Sequence, residues 1–177
     1  MTDAVTGDQL RALMPFSVGK IPLFVEPLNR AMEEFAVNTP KRRAHFLAQV
    51  AHESGELRYT REIADGSAYE GRIDLGNTQP GDGTRFPGRG LLQATGRGVY
   101  EKLKVALGID CVTNPSLLEV PVGACRSAGW IWAVDKRLNE LADTDQFGSI
   151  THRINGGYGG IDQRFRYHLL ARKVFGL

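Results

Sequence analysis

Apolar residues recur along this chain at helical rather than alternating spacing, and the interruptions between runs are as informative as the runs. Short periodic stretches near residues 8–14 and 26–37 predict two helices separated by proline and glycine punctuation. The clearest signal comes next. Thr39 is a good N-cap, Pro40 suits the first helical position, and Phe46, Leu47, Val50 and Ala51 commit one face to a core before Gly55 stops the helix. Between residues 59 and 89 the periodicity fails. Gly, Asp, Asn, Thr and Pro dominate there, notably in Gly76-Asn77-Thr78-Gln79-Pro80-Gly81-Asp82-Gly83, and a stretch that long predicts a functional loop region, irregular or with a small β-hairpin. Helical spacing returns over residues 100–107, 122–134, 147–154 and 163–174. The expected fold is therefore mainly α, and 177 residues suit a single domain spanning 1–177.

Composition narrows the function classes without naming one. Hydrophobic residues make up 42% and charged residues 24%, a balance outside the disordered and fibrous classes. A net charge of +2 favours approach to an anionic polymer but does not imply nucleic acid. Cys111 and Cys125 are expected to be free thiols. Residues 1–16 lack the basic start and apolar run of a signal peptide, and no stretch reaches the ~20 apolar residues of a membrane span. Neither a secretory leader nor a membrane anchor is expected, and with no exposed heptad or apolar stripe the expected state is a monomer.

Among residues able to carry chemistry, Glu53 follows Val50 by three positions and Phe46 by seven, on the edge of the apolar face at the last helical turn. Partial desolvation and the negative end of the helix dipole both favour a neutral, proton-donating carboxyl there. The plain alternative is a solvated last-turn glutamate. Glu62, beyond Gly55, is placed to fold back across a groove and supply the second carboxylate that glycosidic cleavage uses. Glu56 and Glu70 compete for that role, but Glu56 lies close to the helix stop, and each reads more simply as a surface carboxylate. His52-Glu53 fails as a zinc-protease helix because position 56 is Glu where a second histidine belongs. His45, His152 and His168 offer no other compact ligand spacing, so no metal and no cofactor is expected. Ser54 lacks the glycines of a nucleophile elbow.

In Gly88-Arg89-Gly90-Leu91-Leu92-Gln93-Ala94-Thr95-Gly96-Arg97 the glycines admit close backbone approach to a ligand. Gln93 and Thr95, two apart on an extended stretch, would share one side and match the mixed hydrogen bonding of sugar hydroxyl and acetamido groups. The glycine spacing fits neither the P-loop nor the dinucleotide fingerprint. Asn155, ahead of Gly156-Gly157, either caps a turn or sets an amide on a cleft floor. Arg164 either pairs with one of the carboxylates or sits in solvent. Trp130 and Trp132 lie on opposite sides of one helix, which puts at least one indole in the core.

Taken in order, Ala48-Gln49-Val50-Ala51-His52-Glu53-Ser54-Gly55, Arg61-Glu62, the glycine-rich Gly88 segment and Ile154-Asn155-Gly156-Gly157 resemble the chitinase-19 family, glycoside hydrolase family 19. More narrowly, they resemble its phage endolysin branch. The resemblance implies a lysozyme-like, two-lobed helical domain and a metal-free inverting hydrolysis. It implies Glu53 as general acid, Glu62 as the partner that handles water, and Gln93 and Thr95 as groups binding sugar and that water. His52, Tyr100, Asn155 and Arg164 are carried over as further substrate-site residues. The implied partner is the peptidoglycan glycan strand, with chitin as the runner-up. Such an enzyme would be made in the cytoplasm of a phage-infected bacterium and would reach the wall after the membrane is permeabilised. Two departures stand out. Val99 occupies the place before Tyr100 where many members have asparagine, and residues 69–83 are unlike plant chitinase loops, which keeps Glu70 open as the alternative second carboxylate.

Overall fold

The helix announced by Thr39 and Pro40 is the axis of the molecule, whose computed structural model describes residues 4–17 and 19–177. Helices α1 (Gly7–Leu13) and α2 (Ile21–Glu34) lead into it. α3 spans Pro40–Glu53; the Thr39 hydroxyl accepts the Arg42 N–H, and Gly55 follows in the left-handed region at φ +54°. The remaining helices are a single turn α4 (Asp82–Arg85), α5 (Arg97–Leu107), α6 (Pro121–Trp130), α7 (Asn139–Asp143), α8 (Phe147–Asn155) and α9 (Ile161–Val174). α9 lies along α3, and α2 lies along α6.

α3 is more enclosed than its pattern suggests. The sequence commits one face to the core, yet every residue from Arg43 to Ala51 is buried, because α9 covers the side on which His45, Gln49 and His52 fall. Each fully buried Phe, Leu or Val contributes about 1.5–3 kcal/mol relative to exposure. The polar side chains of the same helix must find partners or destabilise it. That requirement shapes the site described below.

Three other departures have simple causes. α2 begins at Ile21 rather than near residue 26, since Pro22 is tolerated in a first turn where no N–H bond is lost. The run expected as one helix over 122–134 passes from α6 into a π-helical turn at Ile131–Asp135. That turn helps seat Trp132, whose indole N–H donates to Asn139 Oδ1 at 2.8 Å and whose ring meets Phe46 edge-on at 5.4 Å. Trp130 is buried as well. α7 is too short to show a period in the sequence.

The polar segment between residues 59 and 89 is irregular rather than a hairpin. It carries 3₁₀ turns at Ser67–Tyr69 and Ile73–Leu75, and the only pairing among the described residues consists of isolated bridges, Arg61 with Arg89 and Arg89 with Ala94. Side chains hold it in place of a sheet. Asn77 donates to the Tyr69 carbonyl and accepts from the Arg97 N–H, while buried Asp82 pairs with Arg97. Arg89, inside the glycine-rich motif, is also buried and binds Glu119, the Arg85 carbonyl and the Tyr100 hydroxyl. Cys111 and Cys125 are free and buried, as expected from the sequence. Among the described residues no helix is long and apolar enough to cross a membrane.

Candidate active site

Glu53 closes α3 with its side chain 18% exposed, and the nearest charge is Arg164 on α9, whose guanidinium reaches Oε1 at 2.6 Å. Of the two readings of Arg164, pairing with a carboxylate or lying in solvent, the structure gives the first. Arg164 is itself buried, and its other nitrogens donate to Gln49 Oε1 at 2.6 Å and the Gly159 carbonyl at 3.1 Å. Gln49 in turn donates to Thr151 Oγ1 of α8 at 3.1 Å. A chain of buried contacts thus runs from α8 through α3 and α9 to Glu53, and each polar member has a partner that offsets its desolvation. Sequence reading missed Gln49. The available signal was a polar residue one turn before Glu53, set between apolar neighbours on a buried helix.

Glu62 is held differently. Its Oε1 accepts the Gly88 N–H at 2.7 Å, its Oε2 accepts the Tyr69 hydroxyl at 2.9 Å, and its own N–H donates to the Gly88 carbonyl at 2.9 Å. Tyr69 is a second residue that sequence reading missed, because nothing local links position 69 to position 62. Burial and the adjacent carboxylate push its phenol above the ordinary tyrosine range, so it stays a donor.

The two glutamates face one groove. Glu53, Tyr59, Arg61, Glu62 and Gln93 line an open depression of about 430 Å³. Gln93 also lines a neighbouring depression with Leu92, Thr95, Ile131, Lys136 and Ile154, so the two meet at its side chain. Gln93 and Thr95 do converge, but not along an extended stretch. Gln93 is in the left-handed region at φ +52°, its amide donates to the Gly90 carbonyl, and the Thr95 hydroxyl donates to the Gln93 carbonyl. Gly88 makes the convergence possible: a Cβ there would stand 2.6 Å from Gln93 Oε1 and 3.3 Å from Thr95 Oγ1. The same glycine supplies the N–H that grips Glu62.

Other expected site residues lie elsewhere. Tyr100 is wholly buried, donates to the Pro87 carbonyl and accepts from Arg89, so it is a core strut rather than a sugar contact. Asn155 is the exposed last residue of α8, beside Gly159, and does not line the groove. His52 is half-buried against Gly160, where a Cβ would meet its ring, and it does not line the groove either. Burial foremost, and then the Arg164 cation, hold its imidazole below the ordinary histidine range. Glu70 is exposed and clamps the loop by accepting the N–H groups of Gly81 and Gly83 at 2.7 and 2.8 Å; it lies outside the groove. Glu56, expected at the surface, is buried and ties the Phe16 N–H to the Tyr167 hydroxyl.

Behind the site, the structure gathers groups whose sequence spacing suggested no cluster. One ligand atom each from His45, Asp145 and His168 lies within 4.8 Å of the others, a compactness that arises from the packing of α9 on α3. Asp145 already serves Lys41 at 2.8 Å and Arg172 at 3.1 Å, and two cations on one carboxylate oppose the approach of a third. Burial holds both imidazoles below the ordinary range, His168 down to about 4. The rings lie tilted at 30° to each other with centroids 4.0 Å apart.

No family model matches the chain. It is similar to a glycosyl hydrolase family 19 domain-containing protein of Haemophilus influenzae, 26% identical over 81% of this chain and 84% of that protein. It is also similar to Chitinase 8 of Oryza sativa subsp. japonica, 28% identical over 64% of this chain and half of that protein's length. The structure superimposes on chitinase C from Streptomyces griseus with a TM-score of 0.80 and 23% identity, covering 98% of this chain and 77% of that one. The mainly α architecture of family 19 therefore extends along nearly the whole chain. With the glutamate-bearing groove and the curated relative matched over most of both lengths, this chain is a glycoside hydrolase similar to those of family 19.

Proposed function

We propose that this enzyme cleaves β-1,4-glycosidic bonds of the bacterial cell-wall glycan by an inverting acid/base mechanism, in the manner of an endolysin. The observation that carries the reaction class is the pair Glu53 and Glu62 on one open groove, with Gln93 beside them. Arg164 engages Oε1 of Glu53 and fixes its direction, which leaves Oε2 to deliver a proton to the bridging oxygen. Glu62, aimed by Gly88 and Tyr69, takes the proton of a water entering from the opposite face of the sugar. Gln93 and Thr95 supply donors and acceptors for that water and the sugar. An open-ended groove suits an internal bond of a polymer.

Hydrolysis of chitin fits the acid/base geometry equally well, and the similarity to chitinases from rice and Streptomyces griseus supports it. The cell-wall reading is favoured by Arg61, an exposed cation lining the same groove as the two glutamates, since chitin is a neutral polymer. Digestion of purified peptidoglycan and of chitin oligomers separates the two. Mass spectrometry should find new reducing ends from peptidoglycan, and proton NMR of the first product should find the α-anomer. Release from chitin alone sinks the cell-wall reading, and an initial β-anomer sinks inversion.

A further inference from the structure

The cell-wall reading leaves open how a groove built for N-acetylated sugars would tell an acidic strand from a neutral one. The two depressions that meet at Gln93 each carry a cation. Arg61 lines the Glu53 side, and its guanidinium has no hydrogen-bond or ion-pair partner among the described residues. Lys136 lines the other side together with Asp135; its ammonium stands 3.4 Å from that carboxylate, longer than a close ion pair, and the carboxylate competes with a substrate anion for it. Arg164, buried behind Glu53, is consumed by Glu53 and Gln49. Nearly every other arginine around the loop is likewise engaged: Arg72 by Asp74, Arg85 by backbone carbonyls, Arg89 by Glu119 and Arg97 by Asp82. Arg61 departs from that pattern at the place where substrate must lie.

We propose that Arg61 and Lys136 are specificity-determining residues that bind carboxylates projecting from an acidic glycan strand, one on each side of the cleaved bond. This rests on the cell-wall reading and extends it from a polymer class to a recognised group. The physical basis is modest but directional. A guanidinium offers two parallel donors to a carboxylate, and an ammonium offers a point charge. Both are partly exposed, so each contact is weak and salt-sensitive, and the effect accumulates only because two cations flank one bond. The carboxylates have two sources on a peptidoglycan strand: the lactyl groups of the sugar, freed where the peptide is absent, and the stem peptides themselves.

The test compares kcat/KM on intact peptidoglycan, on amidase-stripped glycan strands and on a chitin hexamer, for the wild type, Arg61→Gln, Lys136→Gln and the double variant. The ratio of acidic to neutral substrate should fall about threefold in each single variant and about tenfold in the double variant. Raising the salt to about 0.5 M should compress the wild-type ratio in the same direction. A fall on the stripped strands alone assigns the lactyl carboxylates, a fall on intact peptidoglycan alone assigns the stem peptides, and a fall on both assigns both. A double variant whose ratio stays at the wild-type value overturns the inference while leaving the cell-wall reading intact. A wild type that cuts the chitin hexamer but neither acidic substrate overturns both.

Discussion

The two carboxylates of the groove are the same kind of side chain held by opposite means. Glu53 ends a central helix, and it is fixed by Arg164 from a helix more than 100 positions on, backed by Gln49 of its own helix and Thr151 of another distant one. Glu62 sits in irregular chain and is fixed mainly from nearby, by a backbone N–H at Gly88 and by Tyr69 seven residues on. The first arrangement depends on tertiary packing and fails when α9 lifts from α3. The second depends on local turn geometry and fails when the loop loses its clamps. On the proposed roles, a proton donor placed by the core and an acceptor placed by a loop need not loosen together.

The largest effect should come from removing the chemistry outright. Glu53→Gln keeps an oxygen for Arg164 but has no proton of suitable acidity, and kcat should drop about a thousandfold. Glu62→Gln should lose about a hundredfold, and Glu70→Gln only a few-fold, because Glu70 clamps the loop outside the groove. Rates on one soluble oligomer check the ranking, and a larger loss at Glu70 than at Glu62 would reassign the second role.

Acid should weaken the helical side next. His45 and His168 meet where α3 packs on α9, and burial depresses both. A histidine whose folded pKa lies below its unfolded value of about 6.5 leaves the unfolded chain as the stronger proton binder. Stability is then full above about pH 6.5 and declines as the pH falls towards 4. His168 alone, held down to about 4, corresponds to about 3 kcal/mol across that window. Urea unfolding at pH 7.5 and 4.5 measures it, and His168→Phe should flatten the dependence. An equally steep dependence in that variant would place the effect elsewhere.

Smaller changes separate the two holders. Gln49→Leu leaves one nitrogen of buried Arg164 without its acceptor and should cost about 2 kcal/mol of stability together with roughly tenfold in kcat. Tyr69→Phe removes one donor to Glu62 and should lower kcat about threefold with little change in stability. Equal stability losses in the two variants would mean that the loop and the core are not independent supports.

How far the sequence discloses this arrangement depends on the range over which its signals act. α3 was legible because cap, proline, apolar spacing and terminal glycine are all local to residues 39–55. Glu53 and Glu62 were legible as a pair through the motifs around them, and Arg164 as one of two alternatives that the ion pair decides. Tyr100 was misjudged because its place in a motif says nothing of burial, which Phe86, Arg89 and the Pro87 carbonyl impose. Gln49 with Thr151, and His45 with Asp145 and His168, were invisible since roughly a hundred residues or more separate most of these partners.

Burial of the two cysteines reaches beyond packing. Cys125 is enclosed in the core, Cys111 donates to the Tyr100 carbonyl, and desolvation raises both thiols away from the reactive thiolate. The folded enzyme therefore presents no nucleophilic sulfur to oxidants, among the described residues, and its groove chemistry is indifferent to the redox poise around it. Oxidising conditions that would cross-link an exposed pair leave this one silent, and alkylation of either sulfur becomes a clock for unfolding.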